Sequence, residues 1–149
     1  MIAVLQRVTS SSVSVRGEVI GRISKGLNVL LGVAKNDTEK EADYLIGKIL
    51  GMRIFEDEAG KMNLSLSDID GDILIISQFT LLANTKKGKR PSFEKAGDPA
   101  HAKRLYEYFI EKAKERVKVA EHGEFGADMK VDIQNDGPVT IILNTEDNN

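Results

Sequence analysis

Cysteine is absent from this 149-residue chain, which removes disulfides, thiol nucleophiles and thiolate metal ligands together. Tryptophan is absent too, aromatic residues make up only 5%, and there are two histidines, His101 and His122. So few histidines restrict histidine-centred catalysis and argue against a histidine-rich metal site. No apolar run approaches the roughly 20 residues of a membrane span. The stretch Met1–Arg7 lacks a basic leader, a long apolar segment and a small-residue cleavage site, so no secretory signal is expected. Together with the missing cysteine, that sets the expectation of a cytoplasmic protein. Neither sign of charge is in excess: 21 Lys+Arg face 23 Asp+Glu, for a net charge of −2. Chains that grip many phosphates without selectivity are basic, so any nucleic-acid contact here must be local. Missing as well are a P-loop, a dinucleotide glycine fingerprint, a zinc-type His-Glu pair and a glycine-flanked serine elbow.

What is present reads as one α+β domain over residues 1–149, with no linker, repeat or low-complexity segment. Residues 2–8 form an expected first strand, and residues 12–23 a hairpin turning at Arg16-Gly17. Residues 26–33 form an apolar strand. Thr38 with Glu41 three positions on makes a capping box. Behind it Ala42, Leu45, Ile46, Ile49 and Met52 or Arg53 mark a buried helical face. Residues 62–66 read as a short strand or edge segment. Asp98-Pro99 starts a second helix, whose inner face carries Leu105, Phe109, Ile110, Ala113 and Val117. Residues 129–134 and 139–143 alternate as two strands joined by Asn135-Asp136-Gly137-Pro138, and residues 144–149 are expected to fray. The sum is a barrel-like mixed or antiparallel sheet with two main helices.

The chain is organised around residues 72–82, an isoleucine-rich strand that ends in hydrogen-bonding side chains. A period of two places Ser77 and Phe79 on one face and Gln78 and Thr80 on the other. Each buried polar group without a partner costs about 1–3 kcal/mol, so this cluster is either a site or a strand leaving the core. From the residues alone the two readings weigh equally. The loop Lys86-Lys87-Gly88-Lys89-Arg90 invites a phosphate-binding reading, although a solvated charged loop is the plainer one. Asn135-Asp136-Gly137-Pro138 has a plain reading as a hairpin turn. Its functional reading is a rigid Gly-Pro segment presenting backbone carbonyls.

Two stretches taken together go further. Ser77-Gln78-Phe79-Thr80-Leu81 with Asn135-Asp136-Gly137-Pro138-Val139-Thr140 resembles the paired signature of the D-aminoacyl-tRNA deacylases. The likeness extends through Gln6-Arg7-Val8, Met62-Asn63-Leu64-Ser65, Arg90-Pro91-Ser92-Phe93 and Phe125-Gly126-Ala127-Asp128-Met129. The resemblance implies a homodimer with sites at the subunit interface and hydrolysis of the ester joining a D-amino acid to tRNA, with glycyl-tRNA as a side substrate. It implies a cis Gly137-Pro138 bond reaching into the partner's site, held by Arg7. No metal or other cofactor is expected.

On that reading Ser77, Gln78, Phe79 and Thr80 form the catalytic stretch. Backbone N–H groups near Phe79 and Thr80 would stabilise an oxyanion, and Thr80 would position substrate rather than attack it. Gly137 and Pro138, braced by Arg7, would select chirality by blocking the path of an L-side chain. An apolar pocket discriminates by only about 1–3 kcal/mol per methylene, whereas an obstacle rejects every L-residue alike. Lys86, Lys87, Lys89 and Arg90 would contact tRNA. Two other classes compete: a noncatalytic RNA-binding module using the same four cations, and an oligomeric scaffold whose polar strand end is only an interface. Multiple-turnover release of amino acid separates the enzyme from both.

Overall fold

The computed structural model describes residues 1–148. The first strand is longer than its sequence pattern suggests: β1 (Ile2–Val15) runs unbroken through the polar stretch 9–12. Arg16 and Gly17 both take left-handed φ values, +52° and +81°, and turn the chain into β2 (Glu18–Ile23) as expected. β3 (Gly26–Gly32) follows. One edge of β1 holds β3 along residues 2–8 and β2 along residues 11–15, both antiparallel.

Thr38 then starts α1 (Glu39–Gly51) with both arms of the capping box in place, and Ala42, Leu45, Ile46, Ile49 and Leu50 are buried. Met52 is the helix C-cap and Arg53 is exposed, so the buried stripe ends with the helix. A small hairpin, β4 (Phe55–Glu56) and β5 (Met62–Leu64), leads into a one-turn helix, α2 (Leu66–Ile69). That turn is a correction to the strand expected through residue 66: Ser65 and Asp68 form a second capping box.

β6 (Asp72–Ser77) is parallel to β3, with Leu27 opposite Ile73 and Leu31 opposite Ser77. α3 (Pro99–Arg116) begins where Asp98 accepts a bond from the His101 N–H. It returns the chain to β7 (Ala120–His122), a short strand parallel to β6 that the sequence reading did not contain. The last strand, β8 (Met129–Asn144), is antiparallel to the other edge of β1 for nearly its whole length.

The turn at 135–138 is therefore not a hairpin. Both halves of β8 run the same way along β1: Val8 pairs with Asn135 and Gln6 with Thr140, leaving Arg7 alone opposite residues 136–139. The segment is a large bulge thrown out of one continuous strand. Fraying at the end is likewise replaced by order. Thr145–Asn148 make a 3-10 turn, and Thr145 bonds the Met1 carbonyl through its N–H and the Met1 amine through Oγ1. Position 149 lies outside the described residues.

The strand order β2-β1-β3-β6-β7, with β8 on the far side of β1, curls into a nearly closed barrel. β2 closes on β7 so tightly that a Cβ on Gly21 would lie 3.1 Å from the His122 carbonyl oxygen. Two cores result. Leu5, Leu27, Val29, Leu31, Ile73 and Ile75 pack outward under α1 and α3, against Leu45, Ile49, Leu105 and Phe109. Val8, Val13, Ile23, Leu74 and Ile76 fill the inside of the curl. The three-layer order of helices, sheet and inner core follows from β6 being apolar on both faces, while the inner face of β3 carries Leu30 and a buried Asn28 bonded to Ser11 and Gln6.

Candidate active site

The polar end of the β6 segment is where the strand stops. Alternation ends at Ser77, and Phe79–Leu82 form a single 3-10 turn with Gln78 at its start. The expected two faces over 77–82 therefore give way to a compact corner. Gln78 keeps one strand-like bond, from its N–H to the Leu31 carbonyl at 2.8 Å, while its own carbonyl accepts from Leu81 at 3.2 Å. Gly32 makes room for this corner. A Cβ there would lie 2.6 Å from Leu82 Cδ2 and 3.0 Å from the Gln78 carbonyl oxygen.

The first donors of a 3-10 turn have no acceptor inside it, which leaves the N–H groups of Phe79 and Thr80 for another partner. Thr80 is exposed, and its hydroxyl accepts a 2.5 Å bond from Gln78 Nε2. Among the described residues no His, Lys or carboxylate is hydrogen-bonded to that hydroxyl, so it has no activating base.

Beside the corner lies an apolar cavity of about 620 Å³, walled by Ser77, Gln78, Phe79, Phe93, Phe125 and Met129 among others. Phe79 is 56% exposed and meets Phe93 edge to face, ring centres 5.0 Å apart. In the sequence Phe93 and Phe125 belong only to the longer likeness and are not expected as site residues. Their signal was scarcity: of five phenylalanines in the chain, three surround one cavity.

Lys86, Lys87, Lys89 and Arg90 sit in an exposed loop closed at its neck by paired bonds between Asn84 and Ser92, at 2.7 and 3.0 Å. Phe93, immediately after the neck, packs on Phe79 and joins the loop to the cavity wall. None of the four is in an ion pair among the described residues.

Arg7, Gly137 and Pro138 form a second cluster. Arg7 is 6% exposed. It donates from Nη1 to the Ile54 carbonyl at 2.8 Å and from Nε to the Asp136 carbonyl at 3.1 Å, with the Asp136 carboxylate 3.7 Å away. The guanidinium thus pins the bulge from beneath at the residue before Gly137. Gly137 has φ +120°, a Cβ there would lie 2.9 Å from Arg7 Nη2, and the Gly137–Pro138 peptide is cis. Both Gly137 and Pro138 are exposed.

The fold does not bring the two clusters together within one chain. Arg7 is in register with Leu27 and Ile73, whereas Ser77 is level with Leu31. From the bulge on β8, across β1 and β3 to β6, three strand spacings and four residues of rise separate them, on the order of 15–20 Å.

The family profile described as D-Tyr-tRNA(Tyr) deacylase matches residues 4–144. The D-aminoacyl-tRNA deacylase of Sulfurihydrogenibium sp. is 62% identical over 146 residues, 98% of this chain and 99% of its own. That of Thermosipho melanesiensis is 58% identical over 147 residues, 98% of each chain. Among solved structures, the c-Myc DNA unwinding element binding protein superposes with a TM-score of 0.92 at 46% identity, over 97% of this chain and 99% of its own. A probable eukaryotic D-amino acid tRNA deacylase superposes at 0.86 with 18% identity, covering 95% and 97%, a likeness of fold alone.

Proposed function

The chain belongs to the D-Tyr-tRNA(Tyr) deacylase family, and from that premise we propose that it hydrolyses the ester of D-aminoacyl-tRNA in the cytoplasm, releasing free tRNA and the D-amino acid. The full-length identity to curated deacylases carries this reading. The geometry supplies the chemistry. The aminoacyl end enters the cavity beside Phe79, and the ester carbonyl oxygen accepts from the Phe79 and Thr80 N–H groups as negative charge builds on it. Removing one such donor typically raises the barrier by about 2.7–4 kcal/mol. Water adds to the carbonyl carbon, the ester C–O bond breaks, and the ribose oxygen leaves with a proton. An aminoacyl ester is activated and its neighbouring ribose hydroxyl assists, so no protein nucleophile is required. Thr80, held by Gln78, positions the substrate. Ser77 and Gln78 shape the pocket floor. Lys86, Lys87, Lys89 and Arg90 meet tRNA phosphates beside the mouth.

Chirality is selected by the bulge at Gly137–Pro138. A second copy of the chain delivers it to the cavity, since its own cavity lies too far along the sheet. The active species is then a homodimer with two shared sites. Arg7 holds the Asp136 carbonyl, so the bulge cannot recede before an L-side chain. Glycine has no side chain to exclude, and glycyl-tRNA is accepted for that reason. The test is multiple-turnover hydrolysis of matched D- and L-tyrosyl-tRNA. Rapid release of D-tyrosine with L-tyrosyl-tRNA spared is expected. Equal rates would end the chirality reading, and stoichiometric binding without turnover would leave an RNA-binding module.

A further inference from the structure

The cavity opens where two parallel strands part. β6 and β7 are in register from Ile73–Ala120 to Ile75–His122, and the last bond between them runs from the Gly123 N–H to the Ile75 carbonyl at 3.0 Å. Beyond it the chain continues from β6 as Ser77–Phe79 and from β7 as Phe125–Met129, and both stretches wall the cavity. At the branch point sits Tyr106 of α3, 2% exposed. Its hydroxyl donates to the same Ile75 carbonyl at 2.8 Å, and the Gly123 carbonyl is 3.4 Å away. Its ring lies 5.9 Å from that of Phe125, tilted 46°. One side chain thus touches the root of both walls. Burial pushes its phenol upward, with the Gly123 and Ser77 backbone working the other way, so the hydroxyl keeps its proton and remains a donor.

We propose that Tyr106 is a positioning residue for the substrate cavity, fixing the spacing of its two walls by bonding the carbonyl at which they diverge and bracing Phe125. A core tyrosine needs a partner for its hydroxyl. This one takes a carbonyl already satisfied by Gly123, so the fold does not depend on the bond. What depends on it is how far the walls can separate. The inference rests on the deacylase reading for the identity of the substrate, but not for the geometry.

Tyr106→Phe keeps the ring and removes only the bond. A neutral hydrogen bond contributes about 0.5–1.5 kcal/mol, so KM for D-aminoacyl-tRNA is expected to rise about two- to tenfold with kcat little changed. Amide hydrogen exchange on the substrate-free protein gives a second measure. The Gly123 and Gln78 N–H groups should exchange about two- to tenfold faster, while those of the β1–β3 ladder keep their wild-type rates. An unchanged KM, a fall in kcat alone, or exchange that quickens throughout β1–β3 would overturn the proposal. If the wild type turns over no D-aminoacyl-tRNA, the deacylase reading fails by itself. The exchange comparison still decides whether Tyr106 holds the walls.

Discussion

Arg7 shows how one buried side chain fixes a bulge. Its two carbonyl partners, Ile54 and Asp136, meet different nitrogens of the guanidinium, and a planar guanidinium spans both where an ammonium meets only one. Arg7→Lys should leave a buried carbonyl without a donor, costing about 1–3 kcal/mol of stability. It should also free the bulge, so that L-tyrosyl-tRNA begins to be hydrolysed. Denaturant midpoints and the ratio of L to D rates measure the two effects separately. Lost stability with discrimination intact would make Arg7 a structural residue only.

A second prediction at this scale concerns alkaline pH. Tyr108 on α3 donates to Asp43 on α1 at 2.8 Å, and that bond, with desolvation and nearby carboxylates, pushes its phenol up to about 12 from an ordinary 10. A raised acid in the folded state means that the unfolded chain releases its proton first. The stabilisation is complete below pH 10 and is lost as pH climbs to about 12. Urea midpoints should fall across that window, and Tyr108→Phe should flatten part of the fall.

Among elements, the corner at Gln78–Leu82 depends on a neighbour. Gly32→Ala sets a methyl 2.6 Å from Leu82 Cδ2 and 3.0 Å from a backbone oxygen that cannot swing aside. The turn must shift and take the Phe79 and Thr80 N–H groups with it. Activity should fall by roughly a hundredfold or more, the scale of a lost oxyanion donor, while circular dichroism stays that of the wild type. Retained activity would mean that those donors do not meet the substrate.

α1 is the contrasting case, because its start and most of its buried face were readable from Thr38, Glu41 and the spacing of Ala42, Leu45, Ile46 and Ile49. Local rules decide such features. Thr38→Ala should therefore cost only the usual cap, about 1 kcal/mol in thermal or urea unfolding. Glu41, pulled below its ordinary value mainly by the Thr38 hydroxyl, adds stabilisation that is present above about pH 4.5 and lost on acidification.

What the sequence could not reveal was non-local. The 3-10 corner needs Gly32 from another strand. Asn135–Pro138 carries every mark of a hairpin turn, and only its pairing with β1 makes it a bulge. β7 is three residues long and exists because β6 offers it an edge. Tyr106 has no place in the inner face read from the sequence, and its hydroxyl partner is 31 residues away. The two motifs were visible as a likeness, but the distance between them was not.

At the level of the whole molecule, that distance carries the largest consequence. A cavity and an obstacle that lie on the order of 15–20 Å apart in one chain work together only if two chains exchange them. β8 leaves one edge unpaired among the described residues, and Ile142 on it is 69% exposed. On the proposed homodimer, a twofold arrangement would give each cavity the other chain's bulge. Ile142→Lys should therefore weaken association in sedimentation and lower activity in step.

Mixing subunits tests the exchange itself. Suppose Gly32→Ala chains, with an intact bulge but a displaced corner, are unfolded and refolded together with Arg7→Lys chains, whose corner is intact and whose bulge is loose. If each bulge serves the partner, random pairing in equal amounts gives about half of the working corners an intact obstacle. Hydrolysis of L-tyrosyl-tRNA per Arg7→Lys chain should then drop to about half while D-hydrolysis persists. If each bulge serves its own chain, mixing changes neither rate, and the shared site is excluded.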